Sequence, residues 1–183
     1  YLIGNPRAVS KYAWQSRQEM TRVFSDSDWA GCKQTAKSTS GGAIMIGTHM
    51  VKSWSSTQKV VALSSGEAEL IAVVKMSTEI LGVLNLYREW GLSKGARVFA
   101  DSSAALGVVH RKGSGKLRHI KVSTLWVQDK RESGDIQYQK VEGSLNPGDL
   151  MTKHLGAKII QRHSKAVSLE VREGRAEASL RTG

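Results

Sequence analysis

The sequence predicts an α/β domain with a five-stranded mixed sheet and helices on its faces. Three observations predict it. Short apolar runs open the body of the chain, two of them joined by a glycine-containing turn. A long segment then repeats its apolar residues with the helical period. After it, strand-like and helix-like segments alternate.

Residues 1–20 show no clean period and form a lead-in from an upstream region. Residues 21–25 are the first strand, and 29–40 a polar loop. The runs 42–46 and 50–55 flank Gly47-Thr48-His49, a hairpin signal because glycine supplies the turn dihedrals. The first three strands are therefore antiparallel neighbours. Ser64 and Glu67 make a capping box that opens a long helix. Leu70, Val73, Val74, Ile80, Leu81, Leu84 and Tyr87 give it a core-facing stripe, and Gly91 ends it as a C′ residue. Residues 97–100 are the fourth strand. Ser102 caps a short helix to about His110. A basic loop follows, then a helix over about 119–132, stopped by Ser133-Gly134. Residues 136–141 alternate as the fifth strand. Asn146 and Pro147 open a last helix as N-cap and N1. The order is βββ-α-β-α-α-β-α, with a domain over 21–156 and a flexible tail over 157–183.

Composition narrows the function. The chain has 183 residues, 40% of them hydrophobic, enough for one core. Its net charge of +11 suits a polyanionic partner. A single cysteine, Cys32, leaves no basis for a disulfide framework or a Cys/His zinc cluster. No apolar run approaches the ~20 residues that span a bilayer, so no membrane partner is expected. No signal peptide opens the chain. Tyr1 in place of an initiator methionine points to a segment of a longer polypeptide.

Four carboxylates carry the candidate chemistry. Asp26 and Asp101 each end a strand. If those strands are parallel neighbours, both acids emerge at one carboxyl edge, where open α/β sheets place ligands. Glu69 falls within the apolar stripe of the long helix, near the azimuth of Val73, Met76 and Ile80, whereas Glu67 leans to solvent. A core-facing carboxylate is costly unless paired or metal-bound. Asp149 sits near N3 of the last helix. Plainer readings stand beside these: a turn former for Asp26, a cap for Asp101, an edge residue for Glu69 and a helix-dipole acid for Asp149. Taken together, the four are the oxygen ligands that a catalytic Mg²⁺ site needs. Asp28 and Glu67 are the neighbouring decoys. The acid-free stretch with Arg111, Lys112, Lys116, Arg118 and Lys121 is either a phosphate-tracking loop or a solvated one. His119 is a substrate contact or a structural imidazole.

Several motifs resemble, in order and spacing, the ribonuclease H domain of copia-type LTR retrotransposon polyproteins. They are Ser25-Asp26-Ser27-Asp28-Trp29-Ala30-Gly31, Ser53-Trp54-Ser55-Ser56, Ser64-Ser65-Gly66-Glu67-Ala68-Glu69, Ala100-Asp101-Ser102-Ser103-Ala104, Arg118-His119-Ile120 and Asp149-Leu150-Met151-Thr152-Lys153. The match covers about residues 20–156. Residues 1–6 also resemble the end of the region that joins the reverse transcriptase to this domain. The resemblance implies a ribonuclease H-like fold and a D-E-D-D site at Asp26, Glu69, Asp101 and Asp149. That site would hold two Mg²⁺ ions, with Mn²⁺ as a substitute. It implies cleavage of the RNA strand of RNA–DNA hybrids, with the upstream reverse transcriptase of the same polyprotein as partner. The chain departs from the family pattern at Gly66, Lys121 and Leu125, and no histidine stands in 142–145. Two other readings share parts of this pattern: a catalytically silent hybrid-binding or connection module, and a DDE-type integrase or transposase core.

Overall fold

The structure, a computed structural model, describes residues 7–113, 115 and 124–174. Lys116, Arg118, His119 and Lys121 lie outside them.

The main sheet grows from strand β2 (Met20–Asp28). It pairs antiparallel with β3 (Thr39–Ile46), which turns at Gly47 into β4 (His49–Thr57). On its other side β2 runs parallel to β5 (Gly95–Ala100), and β5 runs parallel to β6 (Ile136–Lys140). The order β4-β3-β2-β5-β6 is the predicted mixed sheet, three antiparallel strands followed by parallel ones. A separate antiparallel pair, β1 (Ala8–Ser10) and β7 (Leu169–Val171), joins the first and last strands of the described residues.

Helix α1 (Ser65–Glu89) covers the sheet. It starts where its cap dictates: the Ser64 side chain accepts from the amide of Glu67, and Glu67 Oε2 accepts from the amide of Leu63. It stops at Trp90 and Gly91, whose φ of 70° glycine adopts at little cost. Val73, Met76 and Ile80 are fully buried against Val23, Val98 and Ile136. Each such side chain contributes about 1.5–3 kcal/mol, and Ile80→Ala is expected to cost about 2–5 kcal/mol. By length and composition α1 could cross a bilayer, although its apolar residues form a stripe and not an unbroken run. Here its apolar stripe is the core of the domain. Gln58 bolts the start of α1 to the sheet, donating to Ser40 Oγ at 2.7 Å and to the Ala68 carbonyl at 2.9 Å.

Helix α2 (Ser103–His110) begins at the predicted cap, with Ser102 Oγ accepting from the amide of Ala105. Of the helix predicted over about 119–132, residues 124–132 are described, and helix α3 (Trp126–Glu132) begins only after Leu125.

Two expectations are revised. The helix predicted at Asn146 is a short 3₁₀ turn, Pro147–Met151, capped as expected by Asn146. The stretch after Gly156, read as a flexible tail, holds helix α4 (Ala157–Ala166) and β7. The apolar pattern is weak because α4 buries His163 and Ser164, with Val167 just past its end, in place of a run of large side chains. The lead-in is also tied down: Gln15 donates to the Ile46 carbonyl and accepts from the amide of Thr48, gripping the β3–β4 turn.

Candidate metal centre

The parallel register of β2 and β5 sets the site. Its last pair is Phe24 with Phe99, whose rings stack 5.2 Å apart. Asp26 and Asp101 each follow two residues later, so both leave the sheet at the same carboxyl edge. Glu69 arrives from the second turn of α1. Carboxylate oxygens of Asp26, Glu69 and Asp101 all lie within 4.8 Å of one another.

These acids sit in an unfriendly medium. Asp26 is fully buried and Glu69 is 8% exposed. Glu69 Oε1 accepts from the amide of Ser27 at 3.1 Å and from its hydroxyl at 3.0 Å. Burial, then the charges of Asp26 and Asp101, push the Glu69 carboxyl up to about 8 despite those bonds. Burial pushes Asp26 up to about 6. The Thr152 hydrogen bond and the Lys153 charge oppose that shift, while the Asp149 charge adds to it. Glu69 Oε2 is buried and has no hydrogen-bond partner among the described residues. An orphaned carboxylate oxygen in an all-oxygen donor set fits a hard divalent cation.

Asp149 reaches the site differently. Its turn docks beside Asp26 because two glycines allow close approach. A Cβ on Gly148 would stand 3.0 Å from Asp26 Cβ, and one on Gly41 only 2.6 Å from Met151 Cβ. Asn146 pins the turn: its Nδ2 donates to the Ser25 carbonyl at 2.9 Å and its Oδ1 accepts from the amide of Gly148 at 3.1 Å. Asp149 is not among the acids whose oxygens cluster within 4.8 Å. It is linked to Asp26 through Lys153, whose Nζ lies 2.8 Å from Asp149 Oδ1 and 3.0 Å from Asp26 Oδ1. Thr152 Oγ1 donates to Asp26 Oδ2. Burial works against the Lys153 ammonium, but the hydrogen bond to Asp149 and the charge of Asp26 outweigh it and hold its pKa above the ordinary lysine range.

The decoys separate. Glu67 is spent on the helix cap. Asp28 folds its carboxylate over Gly31 and is absent from the acid cluster. Of the basic loop, the described Lys112 pairs with Glu132 at 2.9 Å on the surface. Sequence reasoning gave no role to Lys153, Thr152 or the Asn146–Ser25 bond. The Asp149–Lys153 spacing of four residues, which favours an ion pair on a helical turn, was the available signal.

The fold has a known counterpart. The chain superposes on LC11-RNase H1, isolated from compost by a metagenomic approach, with a TM-score of 0.56 at 13% identity, covering 74% of this chain and 94% of that one. The architecture is that of a ribonuclease H. No protein-family model matches the chain. It is 29% identical over 173 residues to the retrovirus-related Pol polyprotein from transposon RE1 of Arabidopsis thaliana, covering 92% of this chain and 12% of that protein. It is 30% identical over 134 residues to the corresponding polyprotein from transposon TNT 1-94 of Nicotiana tabacum, covering 71% and 10%. The chain thus spans about a tenth of the length of these relatives. Fold and relatives together agree with a ribonuclease H domain of a retrovirus-related Pol polyprotein from a transposon.

Proposed function

We propose that this domain is a metal-dependent endonuclease that hydrolyses the RNA strand of RNA–DNA hybrids during reverse transcription of a retrotransposon. The observation that carries the reading is the convergence of Asp26, Glu69 and Asp101 at one sheet edge, with Glu69 Oε2 buried and unpartnered. The fold and the transposon relatives support the same class of activity.

Asp26, Glu69, Asp101 and Asp149 are the residues that would hold Mg²⁺, or Mn²⁺ in its place. When bound, two such ions supply activation of a water and neutralisation of the charge that develops on an in-line phosphoryl displacement. The chain's own contribution is position. Ser27 fixes one oxygen of Glu69 and so aims the other. The Phe24–Phe99 register holds Asp26 and Asp101 level. Asn146 keeps the Asp149 turn against β2. The basic surface, with Arg111, Lys112, Lys116, Arg118 and Lys121 as its candidates, would follow the phosphates. Discrimination of the hybrid would rest on backbone shape and RNA 2′-hydroxyls. The upstream reverse transcriptase of the same polyprotein is the proposed partner.

The test is Mg²⁺-dependent cleavage of a labelled RNA–DNA hybrid beside single-stranded RNA and duplex DNA. Cleavage of the hybrid alone, ending in a 5′-phosphate and a 3′-hydroxyl, is the expected result. Binding without cleavage in Mg²⁺ or Mn²⁺ would leave a silent hybrid-binding module, and cleavage or joining of duplex DNA an integrase-like core.

A further inference from the structure

Both oxygens of Asp26 are engaged by two consecutive residues. Thr152 holds Oδ2 and Lys153 holds Oδ1, and the same Lys153 ammonium holds Asp149 Oδ1. The ammonium is thus a cation seated between two carboxylates that the proposed metal centre needs. Its side chain is 35% exposed, against 0% for Asp26 and 14% for Asp149, so it has an open side to leave by. A lysine ammonium is a point charge on a flexible four-carbon stem, suited to such a movement. An ammonium and a divalent ion at the same oxygens repel each other and compete for those carboxylates, so occupancy by one disfavours the other.

We propose that Lys153 is a displaceable internal counter-ion, holding Asp26 and Asp149 together until a divalent cation takes its place between them. The inference rests on the reading of the site as a metal centre. It makes the two cation positions unequal. The one built from Asp26, Glu69 and Asp101 has an orphaned oxygen waiting in Glu69 Oε2. The one between Asp26 and Asp149 must first expel an ammonium. Apparent affinity falls by the fraction of protein in the competent state. An ammonium seated nine-tenths of the time would weaken that position about tenfold.

The experiment titrates Mn²⁺ into the EDTA-treated, buffer-exchanged chain and counts bound and free ion by electron paramagnetic resonance. Melting temperature is followed in parallel. In the wild type, two binding phases are expected. Lys153→Met should tighten the weaker phase by about tenfold or more. The same variant should melt lower than wild type in EDTA, since Asp26 and Asp149 then repel without a screen, and the gap should close at saturating Mn²⁺. Lys153→Arg should keep the wild-type pattern. Lys153→Gln, which keeps length and polarity but not charge, should reproduce the tightening and covers the case in which methionine impairs folding. A residue that merely packs the turn would lower melting without raising affinity, and that result overturns the proposal. Mn²⁺ affinity that ignores residue 153 overturns the counter-ion alone. Absence of Mn²⁺ binding in every protein overturns the metal-centre reading as well.

Discussion

Asp26, Glu69 and Asp101 are positioned by regular structure, whereas Asp149 is positioned by a turn. The first three stand on two hydrogen-bonded strands and a 25-residue core helix. Moving any of them means shifting the sheet register or the buried face of α1. The fourth stands on a five-residue 3₁₀ turn, held by Asn146, by two glycine contacts and by Lys153. The difference separates a rigid half of the site from an adjustable half. It assigns the strongest functional dependence to the rigid half and the greatest sensitivity to the local environment to the other.

The largest expected effect comes from the rigid half. Asp26→Asn should remove hybrid cleavage beyond the 10–100-fold loss typical of an outer partner of a metal ligand. The fold should persist, because the change relieves like-charge crowding. Asp101→Asn should behave alike. Asp28→Asn and Glu67→Gln should keep cleavage, with Glu67→Gln costing at most about 1 kcal/mol of helix stability at the cap. A cleavage assay with circular dichroism on all four separates site from decoy, and equal losses across them would sink the assignment.

Next comes the adjustable half. Asp149→Asn should cut cleavage severely, though less than Asp26→Asn, with partial recovery in Mn²⁺, while stability holds. If Asp149 were only a helix-dipole acid, the variant would lose a few tenths of a kcal/mol and little activity. Asn146→Ala tests the support of the turn. It leaves the buried Ser25 carbonyl without that partner, at a cost of about 1–3 kcal/mol, and should lower cleavage while Asp26, Glu69 and Asp101 keep their places. Full activity in Asn146→Ala would mean that the turn needs no anchor.

The same division marks what could be read from the sequence. The carboxyl-edge positions of Asp26 and Asp101, the caps at Ser64 and Ser102, and the inward azimuth of Glu69 follow from periods of two and 3.6 residues and from side chains that satisfy free amides, although β2 runs on past Asp26 to Asp28 through its pairing with β3. Those rules act within a few residues and leave a visible pattern. The turn at Pro147–Met151 showed its cap but not its tightness, since five residues offer no period. Helix α4 leaves no apolar period because its buried residues are His163 and Ser164. The β1–β7 pairing was missed because two three-residue strands, far apart in the chain, meet through backbone bonds that side chains do not announce. Lys153 was visible only as a charge. That it links Asp26 to Asp149 depends on a tertiary approach made possible by Gly41 and Gly148.

A smaller effect belongs to the basic loop. Lys112 is already paired with Glu132 at the surface, a contact worth little and screened by salt. Phosphate can therefore take its place. Neutralising Arg111, Lys112 and Lys116 together should weaken hybrid binding and flatten the log-log salt dependence by about one unit per lost contact. The cleavage rate at saturating hybrid should be kept. An unchanged salt slope would return this loop to a solvated surface.

A last effect leaves cleavage in excess Mg²⁺ aside and concerns proton uptake by the rigid half in EDTA. The Glu69 carboxyl is raised from its ordinary 4.5 to about 8 and Asp26 from 3.8 to about 6. A raised acid binds its proton more tightly in the folded chain than in the unfolded one. Between about pH 4 and pH 8 the folded state therefore carries the extra protons, and stability falls as pH rises through that window. The melting temperature of EDTA-treated protein should accordingly drop from pH 5 to pH 8. Glu69→Gln should remove most of the drop above pH 6, where the Asp26 contribution is largely complete. Saturating Mn²⁺ should oppose the drop, because the cation favours the charged carboxylates. A melting temperature that rises with pH in EDTA, or a slope that Glu69→Gln leaves intact, would show that the buried acids are not the groups taking up the protons.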